Sequence, residues 1–542
     1  RKHRGYFSEK GDNLLGVGSL LFTNTENNLV RGWGSPAILT PGTKQFAVLG
    51  DYLVVWPDKQ LIDLKNDDAT DSDWEPTYLD WSDIPARLQM GICKPDGSVP
   101  TLWKNATAAE DAPSSPTNGS IWIDTDALAV KEYRSSDNQW YEVDAYTYIK
   151  TQKDYREFLE EGDLIKVSGA TSSNSSDYQI INGEYTVAKV TKSKVIVSGV
   201  FPKAQTSVIS GNTVIKITRA VPNMDYICSC GNRVWGCSST NNEIYCSKLG
   251  DPRRFYTFAG VSTDSYAATL GTNGRFTGCA AYRGDVLFFK EDYIHKVTGS
   301  YPAQYQISEI HCRGVQYGSW RSIALVNETL FYKSHNAVMA YSGGMPYSVS
   351  QAIEGEVYTD AVAGALGNKL YMCMKNEAGE FWTYSYDTEK NIWCKEDNMR
   401  ATMFAYCSSL HDLFFRDEEG NMCNIYGTTS IGMNPVDHRY TRESDFQFSL
   451  TTAKLFLDNI NRTYVNGLKL RVKLEPGTVI HIDVQYDGKE WNNVHNSDKC
   501  GEYVIAIPLL YRSCDYCKVR ISGRGEFTLM GLSKTYSEGN DA

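Results

Sequence analysis

Apolar residues in this chain fall in short runs bounded by Gly, Asn, Asp or Ser, and almost nowhere do they recur at i, i+3, i+4 and i+7 over three turns. Runs of this kind predict strands rather than helices. The best short-helix candidate is Thr151–Glu161 (TQKDYREFLEE), where Tyr155, Phe158 and Leu159 share a face and Gly162 is a stop signal. From about Met224 to Tyr426 the runs follow one order: a strand, a turn with Gly, Asn or Asp, an aromatic-rich strand, a polar turn and a third strand. Five stretches fit it: Asp225–Leu249, Gly278–Gly299, Ser322–Gly343, Val362–Trp393 and Met403–Tyr426. Their spacing of roughly 25 to 50 residues is the range of solenoids and propellers. Each predicts three antiparallel strands with a fourth supplied by the connector, the makeup of a β-propeller blade. Gln45–Lys65 has the same form and reads as the first blade, for about six blades in all. Two stacked β-sandwiches are the alternative architecture.

The remaining chain divides by its turn chemistry. Residues 1–66 hold an N-terminal segment and the first blade, and 67–150 form a loop-rich insertion with a small β unit at Ser120–Val143. Residues 151–219 alternate strands with Gly, Asn-Gly and Ser-Gly turns and predict a small five-strand β-barrel of the SH3 or OB kind. The other blades occupy 220–435. In 436–542, Leu468–Leu474 (LKLRVKL) and Val479–Tyr486 (VIHIDVQY) alternate strictly between apolar and polar, which predicts a jelly-roll-like β-sandwich.

Composition strengthens the all-β reading, since 35 Tyr, 19 Phe and 12 Trp pack well on pleated surfaces. A chain of 542 residues is too long for one core, so several domains are expected. Against 54 Lys and Arg stand 65 Asp and Glu, a net charge of −11 that lacks the basic footprint of a protein gripping phosphates. No apolar run is long enough to span a membrane, and no signal peptide is read. The first residue is Arg1 rather than Met, so some residues ahead of it are expected to have been cleaved or left out. The 14 Cys lie scattered in strand-like company, the pattern of buried thiols made in a reducing cytoplasm. Cys514 and Cys517 form a CxxC without a second pair at zinc spacing, and Cys228 with Cys230 is a weaker signal still.

Catalytic motifs are missing: no G-x-S-x-G, H-E-x-x-H, P-loop or G-x-G-x-x-G occurs. Triads built on His481, His411 or His335 lack identifiable partners, and His295 and His311 read as half-buried residues beside strands. The acidic pairs Asp67-Asp68 and Glu418-Glu419 sit in polar turns, and Asp487-Gly488 before Trp491 reads as a hairpin turn rather than a sialidase-type motif. No enzymatic activity, cofactor or metal is therefore expected. A carbohydrate-binding module is the chief rival, with Trp74, Trp81, Trp103 and Trp122 in its loops at 67–122, and a glycan-cleaving enzyme ranks third.

A compound signature runs through Ala220–Gly344: Asn232-Arg233-Val234-Trp235-Gly236, Ser247-Lys248-Leu249-Gly250-Asp251-Pro252 with Phe255, Phe289-Lys290-Glu291-Asp292, and Tyr341-Ser342-Gly343-Gly344. In these residues the chain resembles the tail stabilization proteins of bacteriophages and, more distantly, the nozzle proteins of short-tailed phages. The resemblance implies a structural virion protein, made in the bacterial host cytoplasm and placed in the tail. It implies a homohexameric ring below the portal and adaptor proteins that extends and seals the DNA conduit and seats tail fibres or spikes. Double-stranded DNA would pass as cargo rather than bind as ligand. The signature residues Trp235, Asp251, Pro252, Phe255, Lys290, Asp292, Gly343 and Gly344 are expected to be structural. Asp251-Pro252 would fix a turn, Phe255 would anchor the next blade, and Lys290 and Asp292 would pair across a turn.

Overall fold

Where apolar runs meet Gly231-Asn232, Arg283-Gly284 and Asn327-Glu328, two consecutive residues take positive φ. That is the two-residue hairpin geometry whose twist matches that of paired strands. In the computed structural model such hairpins build a chain made almost wholly of strands. The structure describes residues 4–538 except 11–12, 18–19, 26–27, 32–36, 65–76, 86, 105, 152, 170–181, 202–207, 211–214, 409, 427–440, 444–445, 457–462 and 511. It separates into two compact units, residues 12–404 and residues 1–11 with 405–542.

The larger unit carries six four-stranded antiparallel meanders, each with its strands paired in chain order. The first runs from Leu14–Val17 to Ala37–Ile38. The second, from Gln45–Leu49 to Thr77–Tyr78, is the expected first blade. The third spans Tyr226–Cys230 to Tyr266–Thr269, the fourth Gly278–Tyr282 to Gln306–His311, the fifth Ala324–Val326 to Tyr347–Ser348, and the sixth Thr359–Leu366 to Ile392–Asp397. In the smaller unit the strands Asp412–Arg416 and Asn421–Asn424, which follow Met403–Cys407, are completed by the N-terminal strand Gly5–Lys10, which pairs antiparallel with Asn421–Asn424. The protein is an all-β chain of the propeller class; its described residues form seven such repeats, the six four-stranded meanders and this sheet, which is five-stranded because Thr441–Arg442 pairs with Gly5–Lys10, against about six expected.

Neighbouring meanders pack face to face. One core joins the second and third through Val54, Trp56, Val234 and Phe255; the next joins the third and fourth through Trp235, Cys237, Phe276 and Phe288. Phe289 and Leu287 then meet Leu330 and Tyr332 of the fifth, whose Phe331 and Ala340 meet Leu370 and Met372 of the sixth. A strand's side chains alternate between faces, so Phe288 looks to the third meander and Phe289 to the fifth, and both are fully buried. Sheets covered on both faces have no solvent side, which is why their second strands read as continuous apolar runs (LVVW, VLFF, LFY) instead of alternating.

Between the second and third meanders the insertion differs from the sequence expectation. The expected five-strand barrel is an eight-stranded sheet around one core, and it recruits Ser82–Asp83, Arg87–Cys93 and Tyr146–Lys150 from the segment read as loops and a small β unit. A separate four-stranded sheet, Thr107–Ala109 to Gln139–Val143, sits beside a single helical turn at Thr101–Lys104. The helix expected at Thr151–Glu161 is a run of turns. Asp154 Oδ1 accepts from the Arg156 backbone N–H and Asp163 Oδ2 from that of Glu160. These local bonds compete with a helix too short to nucleate unaided. Tyr155 and Leu159 still reach the barrel core.

The C-terminal part of the smaller unit is a two-sheet sandwich. One sheet holds Val479–Tyr486 between Tyr516–Arg524 and Trp491–Ser497; the other holds Thr463–Leu474 between Gly501–Pro508 and Phe527–Glu538. Leu468, Leu470, Val472, Ile480, Ile482 and Val484 fill the space between them. Cys514 and Cys517 are buried thiols of that core.

Candidate functional site

Signature residues are spread over three places in the meander stack and form no single cleft. The first is the seat of the inserted barrel. After Glu243–Cys246 the chain forms a long connector, and Arg233, 1% exposed at the start of the adjacent strand, holds it. Its Nη1 donates to Ser247 O (2.8 Å) and to Asp264 O, and its Nη2 to Ser262 O (2.8 Å). On that connector Pro252 and Phe255 are buried. Phe255 packs into the core between the second and third meanders, so it anchors the chain to the preceding blade and not to the next one, as the sequence had suggested.

Beside it lies a buried charge network. Arg254 donates through Nε to Asp163 Oδ1 (3.1 Å), through Nη1 to Asp251, and its Nη2 lies 3.2 Å from Glu160 Oε1. Asp251 also accepts from the Arg253 backbone N–H (3.0 Å) and Nε (2.8 Å). Asp163 and Glu160 belong to the barrel's turn, whereas Arg254 and Asp251 belong to the third meander's connector. Burial raises the Asp163 carboxyl's pKa, opposed by Arg254. Burial opposes the charge of Asp251 as well, but its bonds to Arg253 and the nearby Arg254 charge hold its pKa below the usual value. Arg219 on the barrel is drawn down to about 10 by burial while it donates to Leu79 O (2.8 Å) and Phe158 O (2.5 Å). A buried pair like this contributes little net stability but is costly to break, so it acts mainly as a clasp.

The second place is the turn after Asp285–Phe289. Lys290, 1% exposed, turns inward: Nζ donates to Asn242 Oδ1 (2.6 Å) and Thr272 O (2.7 Å), and it lies 4.9 Å from the Phe276 ring centre. Asp292 pairs with Arg313 at the surface. The pairing of Lys290 with Asp292 expected from their spacing is therefore absent. His295 is also buried, with Nε2 2.8 Å from Thr272 Oγ1, and burial and the Lys290 charge both lower its pKa. Lys290 and His295 thus grip the same connector residue and tie the fourth meander to the third. Gly314 passes so close that a Cβ would lie 2.0 Å from Lys290 O. Around this turn a cleft of about 780 Å³ is lined by Arg275, Thr277, Glu291, Asp292, Tyr293 and Tyr317, among others. The third place, Gly343 and Gly344, is an exposed turn of the fifth meander, with Gly343 at φ +106°.

The other sequence candidates are dispersed. Trp103 and Trp122 are buried and Trp81 stacks on Phe158 at 4.9 Å, so these rings face inward instead of offering a sugar platform; Trp74, Asp67 and Asp68 lie outside the described residues. His481 bonds Asn496 at the surface, and Asp487 and Gly488 form a hairpin turn at positive φ. Among the described residues no cluster of three His, Cys, Asp or Glu is placed to hold a metal. Sequence reasoning missed Arg254, the part Arg233 plays in holding the connector, and the inward turn of Lys290. A signal for the last existed: a cation closes the apolar second strand in three units, at Lys290, Lys333 and Arg416, and all three are buried.

The fold defines a propeller-class all-β protein. No family model and no curated protein matches the sequence. Among solved structures it is similar to Hsv2 of Kluyveromyces lactis, 9% identical over 37% of this chain and 60% of that one, with a TM-score of 0.27. It is similar to the C-terminal WD40 domain of Sif2, 9% identical over 77% of this chain and 97% of that one, TM-score 0.31. It is also similar to an exo-β-1,3-galactanase of Phanerochaete chrysosporium, 11% identical over 56% of this chain and 93% of that one, TM-score 0.21. The chain thus spans 60% of the Kluyveromyces lactis protein. The galactanase corrects the expectation that enzymatic activity is excluded. A glycosidase needs two carboxylates set a few ångströms apart in space, and residues from separate blades leave no motif in sequence. Likeness at these TM-scores carries no argument for any particular reaction or ligand.

Proposed function

We propose that this protein is a structural component of a bacteriophage tail, a nozzle or stabilization protein. In that reading it assembles as a ring below the portal and adaptor, extends and seals the DNA conduit, and seats tail fibres or spikes. One observation carries the reading: the residues that carry the resemblance to phage tail stabilization proteins include those that fasten one part of this chain to the next. Asp251 holds Arg254, which reaches Asp163 of the barrel, Phe255 fills the seam between the second and third meanders, and Lys290 ties the fourth meander to the third. Residues that fasten one part to the next suit a conduit that must stay rigid while DNA moves through it. A net charge of −11 supports it further, since each cation neutralising a phosphate would add affinity and slow transit.

The test is native mass spectrometry of the purified chain, combined with gold-labelled antibody on virions. A closed ring of several copies, with label on the tail axis, is the expected result. A monomer at all concentrations, or label confined to peripheral appendages, overturns the reading.

A further inference from the structure

The fifth and sixth meanders pack tightly through their inner strands, but their outer strands are unequal. The fifth ends in the two-residue strand Tyr347–Ser348, whereas the sixth ends in Ile392–Asp397. The outer end of this seam is left uncovered and forms a pocket of about 430 Å³, within the usual range of small-molecule sites, about 300–1,000 Å³. Every residue lining it is uncharged. The cleft beside Lys290 contrasts with it, since Arg275, Glu291 and Asp292 line that one.

Aromatic faces and unspent polar groups are combined here. Trp393 lies nearly parallel to Tyr386, ring centres 4.8 Å apart, and Tyr347 is 54% exposed. The polar ends of the stacked pair are already occupied: Trp393 Nε1 donates to Val349 O (2.6 Å) and the Tyr386 hydroxyl to Asn391 Oδ1 (2.8 Å). Trp393, half-buried, therefore offers apolar surface in a fixed orientation, backed by the buried Tyr386 ring. Asn391 retains its amide N–H groups and Gln351, whose Nε2 donates to Ser348 O (2.9 Å), retains its carbonyl oxygen. The hydroxyls of Thr329 and Tyr347 also line the pocket.

We propose that this pocket binds a neutral saccharide of one or two rings. The apolar C–H face of a pyranose lies on an aromatic side chain, and its hydroxyls, each both donor and acceptor, match a mixed set of amide donors, amide acceptors and hydroxyls. A phosphorylated or acidic ligand would require a cation that the lining does not contain. The site stands on its own geometry and does not rest on the tail reading.

Two variants test it while keeping the fold. Tyr347→Ala removes an exposed ring from a two-residue edge strand. Asn391→Gly removes the amide at a position whose φ of +54° suits glycine. The full chain is screened on an array of neutral, sialylated and sulfated glycans, and the strongest neutral binder is then titrated by calorimetry against the wild type and both variants. Expected is binding to neutral glycans that each variant weakens about tenfold, with oligomeric state unchanged in both and thermal unfolding unchanged in Tyr347→Ala, whereas Asn391→Gly, which removes the acceptor of the Tyr386 hydroxyl, lowers it slightly. The proposal is overturned if no neutral glycan binds, if only sialylated or sulfated glycans bind, or if both variants bind as the wild type does. It is also overturned if the variants lose self-assembly instead of glycan binding, for the seam would then be a contact between copies.

Discussion

Second strands in the meander stack and strands in the C-terminal sandwich use the same residue types in opposite patterns. In the stack, Asp285–Phe289 buries Val286, Leu287, Phe288 and Phe289 in succession. In the sandwich, Thr463–Leu474 buries Leu468, Leu470, Val472 and Leu474, while Lys469, Arg471 and Lys473 face water. The difference is the number of neighbours: a sheet inside the stack is covered twice and a sandwich sheet once. Periodicity thus reports how many faces are covered, and a run without alternation marks an internal sheet.

Truncation of adjacent residues is the most direct way to break this comparison. Phe288→Ala and Phe289→Ala should each cost about 3–5 kcal/mol, because each leaves a cavity in a different seam. In the sandwich Leu470→Ala should cost about 2–5 kcal/mol, but its neighbour Arg471→Ala should stay within about 0.5 kcal/mol. Urea unfolding, followed by hydrogen exchange within each unit, checks this. If either Phe substitution proves cheap, burial on both faces is wrong for that strand.

The stack also differs in how it holds an insert. It fastens the barrel with the buried pair Asp163–Arg254. Arg254→Met leaves Asp163 buried without its nearest cation and should cost about 3–5 kcal/mol. Limited proteolysis should show the barrel's turn at 160–163 opening before the meanders do; unchanged cleavage would sink the role of clasp.

These contrasts explain what could be read in advance. Six of the seven repeats were legible, because each sets an apolar run and a turn within a short window. The first, at 14–38, was not, since its strands (LLFTNT, NLVR) are rich in Thr and Asn and lack the Gly-Asp turn of the others. Nor was the pairing of Gly5–Lys10 with Asn421–Asn424, where partners some four hundred residues apart leave no local trace. Arg87–Cys93 falls in the stretch whose Asp, Ser, Pro and Asn content reads as loops; in fact it is a strand, and the Tyr148 ring crosses it at Gly91, whose Cβ position is 2.6 Å from the Tyr148 hydroxyl. At the candidate site the residues were legible and their partners were not. Lys290 and Asp292 look like a pair in sequence, yet one lies buried and the other at the surface.

Acid should separate the two regions as well. His295 is buried and its pKa is lowered, first by burial and next by the Lys290 charge, with Glu309 opposing. The unfolded chain therefore binds the proton more readily, so stability contributed by neutral His295 is present above about pH 6.5 and is lost as pH falls below it. The stack's unfolding transition should weaken from pH 7 to pH 5, and His295→Gln should flatten that dependence. The described core of the sandwich holds no His.

The smallest effect concerns the charges on the sandwich's open face. Arg471 reaches Glu502 across the strand pair at 2.6 Å, with 63% and 44% of the side chains exposed. Water screens such a pair, and holding two long side chains in one geometry costs entropy, so a double-mutant cycle with Arg471→Ala and Glu502→Ala should give about 0.2–1 kcal/mol. Raising the salt concentration should shrink that coupling further. The Asp163–Arg254 coupling in the stack, with 1% and 4% of the side chains exposed, should hardly respond to salt. Equal salt sensitivity of the two pairs would mean that the barrel's seat is as wet as the sandwich surface, and the contrast between a face covered twice and a face covered once would not extend to its charges.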